Sequence, residues 1–173
     1  RHHLIDVAVQ KSGAHTVLEL AAGFSRRGPA FSEREGLCYI EVDLPGVIGA
    51  KRRLLAGSEE GREVLARENY MLLAGDALSV DLHPHLPSTG RLCVVAEGFM
   101  IYLAPDAQRG LMERAVKWLD SAGGGELLFD LVPRSEEPRS GWFGRLLGRC
   151  MRFFTGGRSF DDAPRTRDCL RGE

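Results

Sequence analysis

The feature that most constrains the fold is a series of five apolar runs, rich in β-branched residues and separated by turn or helix patterns. The runs cover residues 16–22, 38–43, 70–75, 91–97 and 126–132. Their nearly continuous hydrophobicity, without strict alternation, is typical of strands that are covered on both faces. Strands that alternate with helices predict a parallel sheet with right-handed crossovers. We therefore expect an open, doubly wound α/β sheet in which the turns after the first, second and fourth strands converge on a ligand crevice.

Two segments between these runs have the spacing of amphipathic helices. The first begins at Pro45, and its predicted inward residues are Val47, Ile48, Leu54 and Leu55. Its predicted solvent-facing residues are Lys51, Arg52 and Arg53. The second runs from Pro105 to Ser121, with the predicted inward residues Leu111, Met112, Ala115, Val116 and Leu119. Helical spacing at both ends of the chain, with no strand beyond it, predicts a fragment or a shortened member of its fold.

Length and composition fit one domain over residues 1–173. The chain has 173 residues, 43% of them hydrophobic, which is enough for a sizeable core. Its net charge of −1 provides no broad field to attract nucleic acid or anionic lipid. No run approaches the roughly 20 apolar residues that span a bilayer, and no secretory signal opens the chain. We therefore predict a cytoplasmic protein with no nucleic-acid or membrane partner.

Residues 139–160 differ in composition from the rest of the chain. Within them, residues 142–154 are basic and amphipathic, with apolar and arginine side chains on opposite helical faces. Such a segment could lie on a membrane or accept an acidic partner. More often it folds over a sheet as a substrate cap or forms a contact between subunits. We interpret 139–160 as a cap or interface insertion, which leaves a homo-oligomer open.

No metal site is predicted from the sequence. The cysteines are widely spaced and form no C-x-x-C pair; they are Cys38, Cys93, Cys150 and Cys169. The two histidines of His83-Pro84-His85 lie in a proline-containing loop, and no third ligand is near them in sequence. This cysteine spacing also gives no disulfide framework, so a reducing compartment is the default.

The turn after the first apolar run indicates an adenosine ligand. Residues 16–20 lead into the small residues Ala21-Ala22-Gly23, and Asp43 ends the second run about 20 residues after Gly23. Small residues let a backbone approach the ligand closely, and a carboxylate at this spacing can accept both ribose hydroxyl protons. The structural alternative is that Glu19 and Gly23 only end a strand and begin a turn. Gly23 and Gly28 do not complete a G-x-G-x-x-G pattern, which argues against a dinucleotide site.

Three later residues are further candidates. Glu97 ends the fourth run, directly after the apolar residues 92–96, and a carboxylate at the end of a buried strand is seldom left without a partner. Asp76 follows the third run, where it could instead cap the loop that comes next. Tyr102 is a candidate for facing the substrate, although a tyrosine near a helix start is as often a packing residue.

Four ordered segments together resemble the leucine carboxyl methyltransferase superfamily. They are residues 16–28, 39–55, 69–76 and 94–103. The run Ala21-Ala22-Gly23-Phe24-Ser25-Arg26-Arg27-Gly28 is closest to the branch of tetracenomycin-type polyketide O-methyltransferases. The resemblance implies the Rossmann-like class I methyltransferase fold, with strand order 3-2-1-4-5. It also implies S-adenosylmethionine as the cofactor.

The resemblance implies roles for several positions. The residues that it assigns to cofactor binding, together with Glu19 at the end of the first run, are Arg1, Glu19, Ala21, Gly23, Asp43, Asp76, Ala77 and Glu97. Of these, Ala21 and Gly23 would line the methionine part and Asp43 would hold the ribose. Asp76 and Ala77 fall where the family contacts adenine, and Glu97 at its carboxylate after the fourth strand. Arg1 begins a stretch like the family's Arg-x-x-x-Ile-Asp, whose arginine pairs with the cofactor's carboxylate.

Two departures from the family pattern are visible. Many members have glycine where this chain has Ala21, and the family's pocket-closing segment before Arg1 is absent from this sequence.

The resulting hypothesis is an S-adenosylmethionine-dependent O-methyltransferase that acts on a carboxylate or hydroxyl of a small, polyketide-like acceptor. Methyl transfer depends mainly on positioning, and only a hydroxyl acceptor would require a base. The candidate catalytic residue is Tyr102. The alternative is a catalytically inactive or truncated cofactor-binding or scaffold domain of the same fold. A nicotinamide oxidoreductase is a third hypothesis, which the incomplete glycine pattern disfavours.

Overall fold

The five apolar runs form one parallel sheet in a computed structural model of the chain, which describes residues 2–130. The strands are β1 (Thr16–Leu20), β2 (Cys38–Asp43), β3 (Tyr70–Ala74), β4 (Leu92–Ala96) and β5 (Gly125–Phe129). Their order across the sheet is β3-β2-β1-β4-β5, and all neighbouring pairs are parallel. The predicted fold class and strand order are therefore confirmed. Because the order reverses between β1 and β4, a crevice is expected at the carboxyl ends of these two strands.

Among residues 2–130, one α-helix precedes β1 and four lie between strands. They are α1 (His2–Lys11), α2 (Arg27–Phe31), α3 (Pro45–Ala56), α4 (Glu59–Ala66) and α5 (Pro105–Ala122). Local sequence explains several of their ends. Pro45 and Pro105 stand in the first turns of α3 and α5, where a missing N–H leaves no broken hydrogen bond. The Ser58 hydroxyl oxygen accepts the Gly61 N–H at 3.0 Å and so caps α4.

The two faces of the sheet carry separate cores. On one face α5 covers Leu18, Ile40 and Val94, with the buried Trp118 among its contributions. On the other face the helices α1 to α4 cover alternate residues of the same strands, including Val17 and Cys93. Successive side chains of a strand point to opposite faces of the sheet. Glu19 is two residues after Val17, and Glu41 is two residues after Tyr39, so both carboxylates point toward the face covered by α1 to α4. Both carboxylates are buried, so that face must supply cationic partners.

Three side chains of the helices lie on the opposite side from the one predicted. Lys51 of α3 is buried, with 3% of its surface exposed, whereas Leu54 on the same helix is 68% exposed. The reason is that Glu41 lies under α3 and its carboxylate binds the Lys51 ammonium. On α5, Val116 is exposed and Trp118 takes an inward position instead. Hydrophobicity alone therefore assigned the wrong face to these residues.

Several predictions concern residues outside the described part of the chain. Arg1, the helical start at 161–173 and the insertion at 139–160 all lie there. The single domain over 1–173 stays a prediction for the same reason. Among residues 2–130, no helix combines the length and apolar character that crossing a bilayer requires.

Candidate active site

The ends of β1 and β2 are joined by the carboxylate of Asp43. One oxygen of Asp43, Oδ2, accepts the Gly23 N–H at 2.6 Å. The other, Oδ1, accepts the Leu44 N–H at 2.7 Å. Asp43 is half-buried, and a carboxylate has about four acceptor positions, so further donors can still be accepted. The residue pair that the sequence singled out by spacing is thus in direct contact.

The turn between β1 and α2 has a left-handed backbone at two positions. Ala21 has φ 52° and Gly23 has φ 55°. Glycine adopts such angles freely, whereas alanine meets a steric penalty of its Cβ. A Cβ placed on Gly23 would meet no atom within 4 Å, so backbone conformation rather than crowding favours glycine there. The family's preference for glycine at the position of Ala21 has the same explanation.

Replacing Ala21 by glycine is expected to raise the free energy of unfolding by about 1 kcal/mol. The left-handed region costs alanine about 1–2 kcal/mol, and the greater unfolded-state freedom of glycine offsets part of the gain. Urea unfolding measures the change. Ala22→Gly is the matched control, because Ala22 is buried and is not among the residues with positive φ, so its replacement should lower stability. An Ala21→Gly variant no more stable than the control would contradict the backbone argument.

Asp76 and Ala77 lie in the loop after β3. Asp76 Oδ1 accepts the Leu78 N–H at 3.0 Å, so this residue does cap its loop, as the structural alternative predicted. Its half-buried carboxylate stays a candidate for cofactor contact as well. Ala77 is buried, and its carbonyl accepts the Arg114 guanidinium at 3.1 Å. Through Arg114, which also donates to the Val80 carbonyl at 2.5 Å, α5 fixes the course of this loop.

A polar cluster surrounds the buried side chain of Arg27, which follows the Gly23 turn. We call it the Arg27 cluster; its members are Asp6, Glu19, Arg27, Tyr39 and Glu97. Arg27 donates from Nη1 to Glu19 Oε1 at 2.5 Å, from Nη2 to Glu97 Oε2 at 2.7 Å and from Nε to Asp6 Oδ1 at 2.6 Å. The Tyr39 hydroxyl donates to the second oxygen of Glu19 at 2.8 Å. Two predicted residues, Glu19 and Glu97, are therefore brought together by an arginine that the sequence analysis did not single out.

Burial and pairing oppose each other in the Arg27 cluster. Burial raises the pKa of Glu19, and Arg27 and the Tyr39 hydroxyl act against that rise. Burial by itself would lower the pKa of Arg27, but the carboxylates, Glu19 first, raise it above its ordinary value. Burial and the nearby Glu19 likewise raise the pKa of Tyr39. Arg27 is thus a permanent cation that binds three carboxyl groups.

Gly98 and Asp130 form a second contact between a glycine and an aspartate. It lies on the β4–β5 side of the point where the strand order reverses. Asp130, directly after β5, accepts the Gly98 N–H at Oδ1 over 2.5 Å, and Gly98 has φ 66°. This arrangement parallels the contact between Gly23 and Asp43. The sequence analysis counted Asp130 as a strand residue and missed it. A carboxylate immediately following an apolar run was the available signal, as it was for Glu97.

Tyr102 lies in a short 3₁₀ turn, Met100–Tyr102, and is half-buried. The turn is held from α5, because the buried Gln108 amide donates to the carbonyls of Met100 at 3.1 Å and Leu103 at 3.0 Å. The catalytic role of Tyr102 stays a prediction. Within residues 2–130, no group of three His, Cys, Asp or Glu side chains is placed to hold a metal ion.

Sequence comparison places this site in a known family. Residues 1–116, which include Gly23, Asp43 and Glu97, match the family described as leucine carboxyl methyltransferase. A protein of Mycolicibacterium gilvum, provisionally named an S-adenosyl-L-methionine-dependent methyltransferase, is 30% identical over 132 residues, or 72% of this chain and 40% of that protein. A Mycobacterium bovis protein with the same name is 34% identical over 98 residues, or 57% of this chain and 33% of that protein. The chain thus spans 40% or less of the length of these two relatives.

Solved structures share the fold. One is a Nostoc punctiforme protein provisionally described as an O-methyltransferase, with a TM-score of 0.62 and 15% identity. The match covers 97% of this chain and 47% of the Nostoc chain. Another is the glycopeptide N-methyltransferase MtfA, solved with S-adenosylmethionine, with a TM-score of 0.55 and 25% identity. The match covers 79% of this chain and 57% of the MtfA chain. One neighbour is described as acting on oxygen and the other on nitrogen, so the fold does not fix the acceptor atom.

These comparisons confirm the predicted methyltransferase family and, at the level of that family, its cofactor S-adenosylmethionine. The tetracenomycin-type branch stays a prediction. The chain belongs to the leucine carboxyl methyltransferase family.

Proposed function

We propose that this chain forms the S-adenosylmethionine-binding core of a methyltransferase that transfers the methyl group to an oxygen of a small molecule. The observation that carries the proposal is the contact between Gly23 and Asp43 at the carboxyl edge of the sheet, beside the point where the strand order reverses. In open α/β sheets this is the position of nucleotide-type ligands.

The residues present fit the adenosine part of this cofactor. Asp43 would accept the ribose hydroxyls with the acceptor positions that the Gly23 and Leu44 N–H groups leave. The loop holding Asp76 and Ala77 follows β3, next to β2, so it lies on the side of Asp43 away from β1. Adenine would extend toward this loop.

The methionine part would extend in the opposite direction, from β2 past β1 toward β4. Glu97 directly follows β4, and its largely buried carboxylate can pair with the methionine ammonium. The turn with Ala21 and Gly23 lies between these two ends. Arg1 is the predicted partner of the cofactor's own carboxylate.

The cofactor supplies an activated methyl group, and the protein's task is to align the acceptor with it. An acceptor oxygen must approach to roughly 3 Å, in line with the departing sulfur. A carboxylate acceptor requires no base, whereas a hydroxyl requires a group that takes its proton. Tyr102 is the described residue that we propose to face the acceptor. We propose a polyketide-like acceptor, selected by residues 142–154, and leave a homo-oligomer as a further proposal.

The test is calorimetric titration of the chain with S-adenosylmethionine and S-adenosylhomocysteine, with Asp43→Ala measured alongside. We expect the wild type to bind both ligands and Asp43→Ala to bind each about 100-fold more weakly. The reason is that hydrogen bonds to a charged group contribute about 1.5–3 kcal/mol each. Asp120→Ala, at an exposed aspartate of α5, is the control and should bind like the wild type.

The outcomes separate the two main hypotheses. Transfer of an isotope-labelled methyl group to any member of a panel of phenols, enols and carboxylic acids would support the enzyme. Tight cofactor binding without transfer to any acceptor would support the scaffold alternative. Folded wild-type protein that binds neither ligand would overturn the proposal altogether.

A further inference from the structure

We propose that Arg27 is a positioning residue for cofactor recognition, whose guanidinium fixes the carboxylate of Glu97 in the orientation that receives the methionine ammonium. The inference rests on the proposed function and adds a residue to it. Arg27 itself would not touch the cofactor.

The first argument is the number of anchors on the guanidinium. Arg27 binds Asp6 of α1, Glu19 of β1 and Glu97 after β4, which are three carboxylates on three separate parts of the fold. A guanidinium is planar and donates in fixed directions. Two of these contacts are therefore enough to determine the direction in which Nη2 points toward the third. Asp6 and Glu19 therefore fix the direction from which Arg27 donates to Glu97 Oε2.

The second argument is burial. The Arg27 side chain is 4% exposed, so its contact with Glu97 is shielded from solvent. The other oxygen of Glu97, Oε1, lies 2.7 Å from Nδ1 of His2, whose side chain is 81% exposed. An exposed ionic contact contributes little to order, whereas a shielded charge-assisted hydrogen bond is strong and directional. Arg27 is thus the firmer of these two contacts of Glu97.

The third argument is the backbone around Glu97. The neighbouring Gly98 has φ 66°, so the chain turns sharply directly after this residue. A glutamate at such a turn has three side-chain torsions to order, and ordering them costs conformational entropy. If Arg27 has already ordered these torsions, the ligand does not have to do so on binding. Glu19 has an additional partner in the Tyr39 hydroxyl, so its position depends less on Arg27.

The test uses two ligands that differ only in the amino-acid part. S-adenosylhomocysteine carries the ammonium, whereas 5′-methylthioadenosine has the adenosine and the thioether without it. Arg27→Lys keeps the charge but loses the planar fork. We expect this variant to bind S-adenosylhomocysteine at least tenfold more weakly and 5′-methylthioadenosine within twofold of the wild type. The double variant Arg27→Lys/Glu97→Gln should bind S-adenosylhomocysteine within twofold of Glu97→Gln alone, because Arg27 acts through Glu97.

Two further variants keep the test decisive. Arg91→Lys is the matched control, because Arg91 is exposed and pairs with Glu126 at 3.2 Å away from the Arg27 cluster; it should leave both affinities unchanged. Asp6→Ala is informative even if Arg27→Lys fails to fold, because it removes one anchor of Arg27 at a partly exposed position and leaves Glu97 itself unchanged. We expect Asp6→Ala to lose affinity for S-adenosylhomocysteine and to bind 5′-methylthioadenosine like the wild type.

Other results would overturn the inference. Equal weakening of both ligands in Arg27→Lys, or unchanged S-adenosylhomocysteine binding in Asp6→Ala, would mean that Arg27 serves only the fold, with the proposed function intact. Wild-type protein that binds neither ligand would instead refute the proposed function and this inference with it.

Discussion

Replacing Lys51 by methionine is expected to lower the free energy of unfolding by about 3–5 kcal/mol at pH 8, because it leaves a buried carboxylate without its cation. Lys51 and Glu41 form an ion pair beneath α3, and both side chains are almost fully buried. The Lys51 ammonium also donates to the Ser25 carbonyl at 2.6 Å, and the Tyr70 hydroxyl donates to Glu41 at 3.1 Å. Methionine fills a similar volume to lysine, so the loss of free energy of unfolding would come from the missing charge and not from a cavity.

The size of this loss should depend on pH. Burial raises the pKa of Glu41 to about 7, against the lowering influence of Lys51. A carboxyl group whose pKa is raised on folding stabilises the protein fully below its unfolded pKa of 4.5, and that contribution is lost as the pH rises through about 7. Removing Lys51 removes the lowering influence, so the raised pKa should rise further. The deficit of Lys51→Met relative to the wild type should therefore be larger at pH 8 than at pH 5.5.

Urea unfolding of both proteins at the two pH values measures the effect. Arg53→Met is the matched control, because Arg53 lies on the exposed side of the same helix and should change the free energy by less than about 0.5 kcal/mol at either pH. An equal loss for Lys51→Met at both pH values would exclude ionisation of Glu41 as the cause.

Replacing Gly125 by alanine is expected to lower the free energy of unfolding by roughly 3 kcal/mol or more, because the added Cβ meets backbone. Gly125 is the first residue of β5 and pairs with Leu92 of β4. A Cβ there would overlap the Leu92 carbonyl oxygen and lie 2.8 Å from the carbonyl carbon and 2.9 Å from Leu119 Cδ2. Neither strand can move away without breaking the register of the pair.

The control for this prediction is Gly110→Ala in α5. Gly110 lies within the helix, and a Cβ placed on it would meet nothing within 4 Å. Alanine is the better helix former, so this variant should gain about 0.5–1 kcal/mol. In thermal unfolding, the melting temperature of Gly125→Ala should fall below that of the wild type, and the melting temperature of Gly110→Ala should rise above it. A Gly125→Ala protein that melts like the wild type would show that the β4–β5 edge tolerates the displacement.

The sheet was predictable because its strands are covered on both faces, so each appears in the sequence as one apolar run. The contact between Gly23 and Asp43 was predictable for a related reason. Strand ends meet at one edge of a parallel sheet, and a fixed chain length between two neighbouring strands gives a fixed residue spacing. Where local pattern and topology agree, sequence reasoning located the elements and predicted which strand ends meet; the binding roles of Gly23 and Asp43 stay a prediction.

Buried charges were less predictable, because their partners are distant in sequence. The local sequence pattern assigns Lys51 to the solvent-facing side of its helix, and only the fold shows that Glu41 lies beneath it. Arg27 stands among arginines of similar local sequence, and nothing nearby shows that Glu97, 70 positions later, will bind it. The available signal was the carboxylates themselves. Glu19 and Glu41 interrupt apolar runs, and a buried carboxylate requires a cation whose position only the fold reveals.

The long separation between Arg27 and Glu97 also bears on the order of folding. Contacts between residues far apart in sequence pay a loop-closure entropy before they contribute stability, and they tend to form late. The Gly23–Asp43 contact spans 20 positions and needs only β1 and β2. The contact from Arg27 to Glu97 requires β4 to have joined β1 across the crossover. An emerging polypeptide could therefore form the proposed ribose half of the pocket before β4 is in place. The proposed ammonium half requires β4, so ligand capture would report completion of the central sheet.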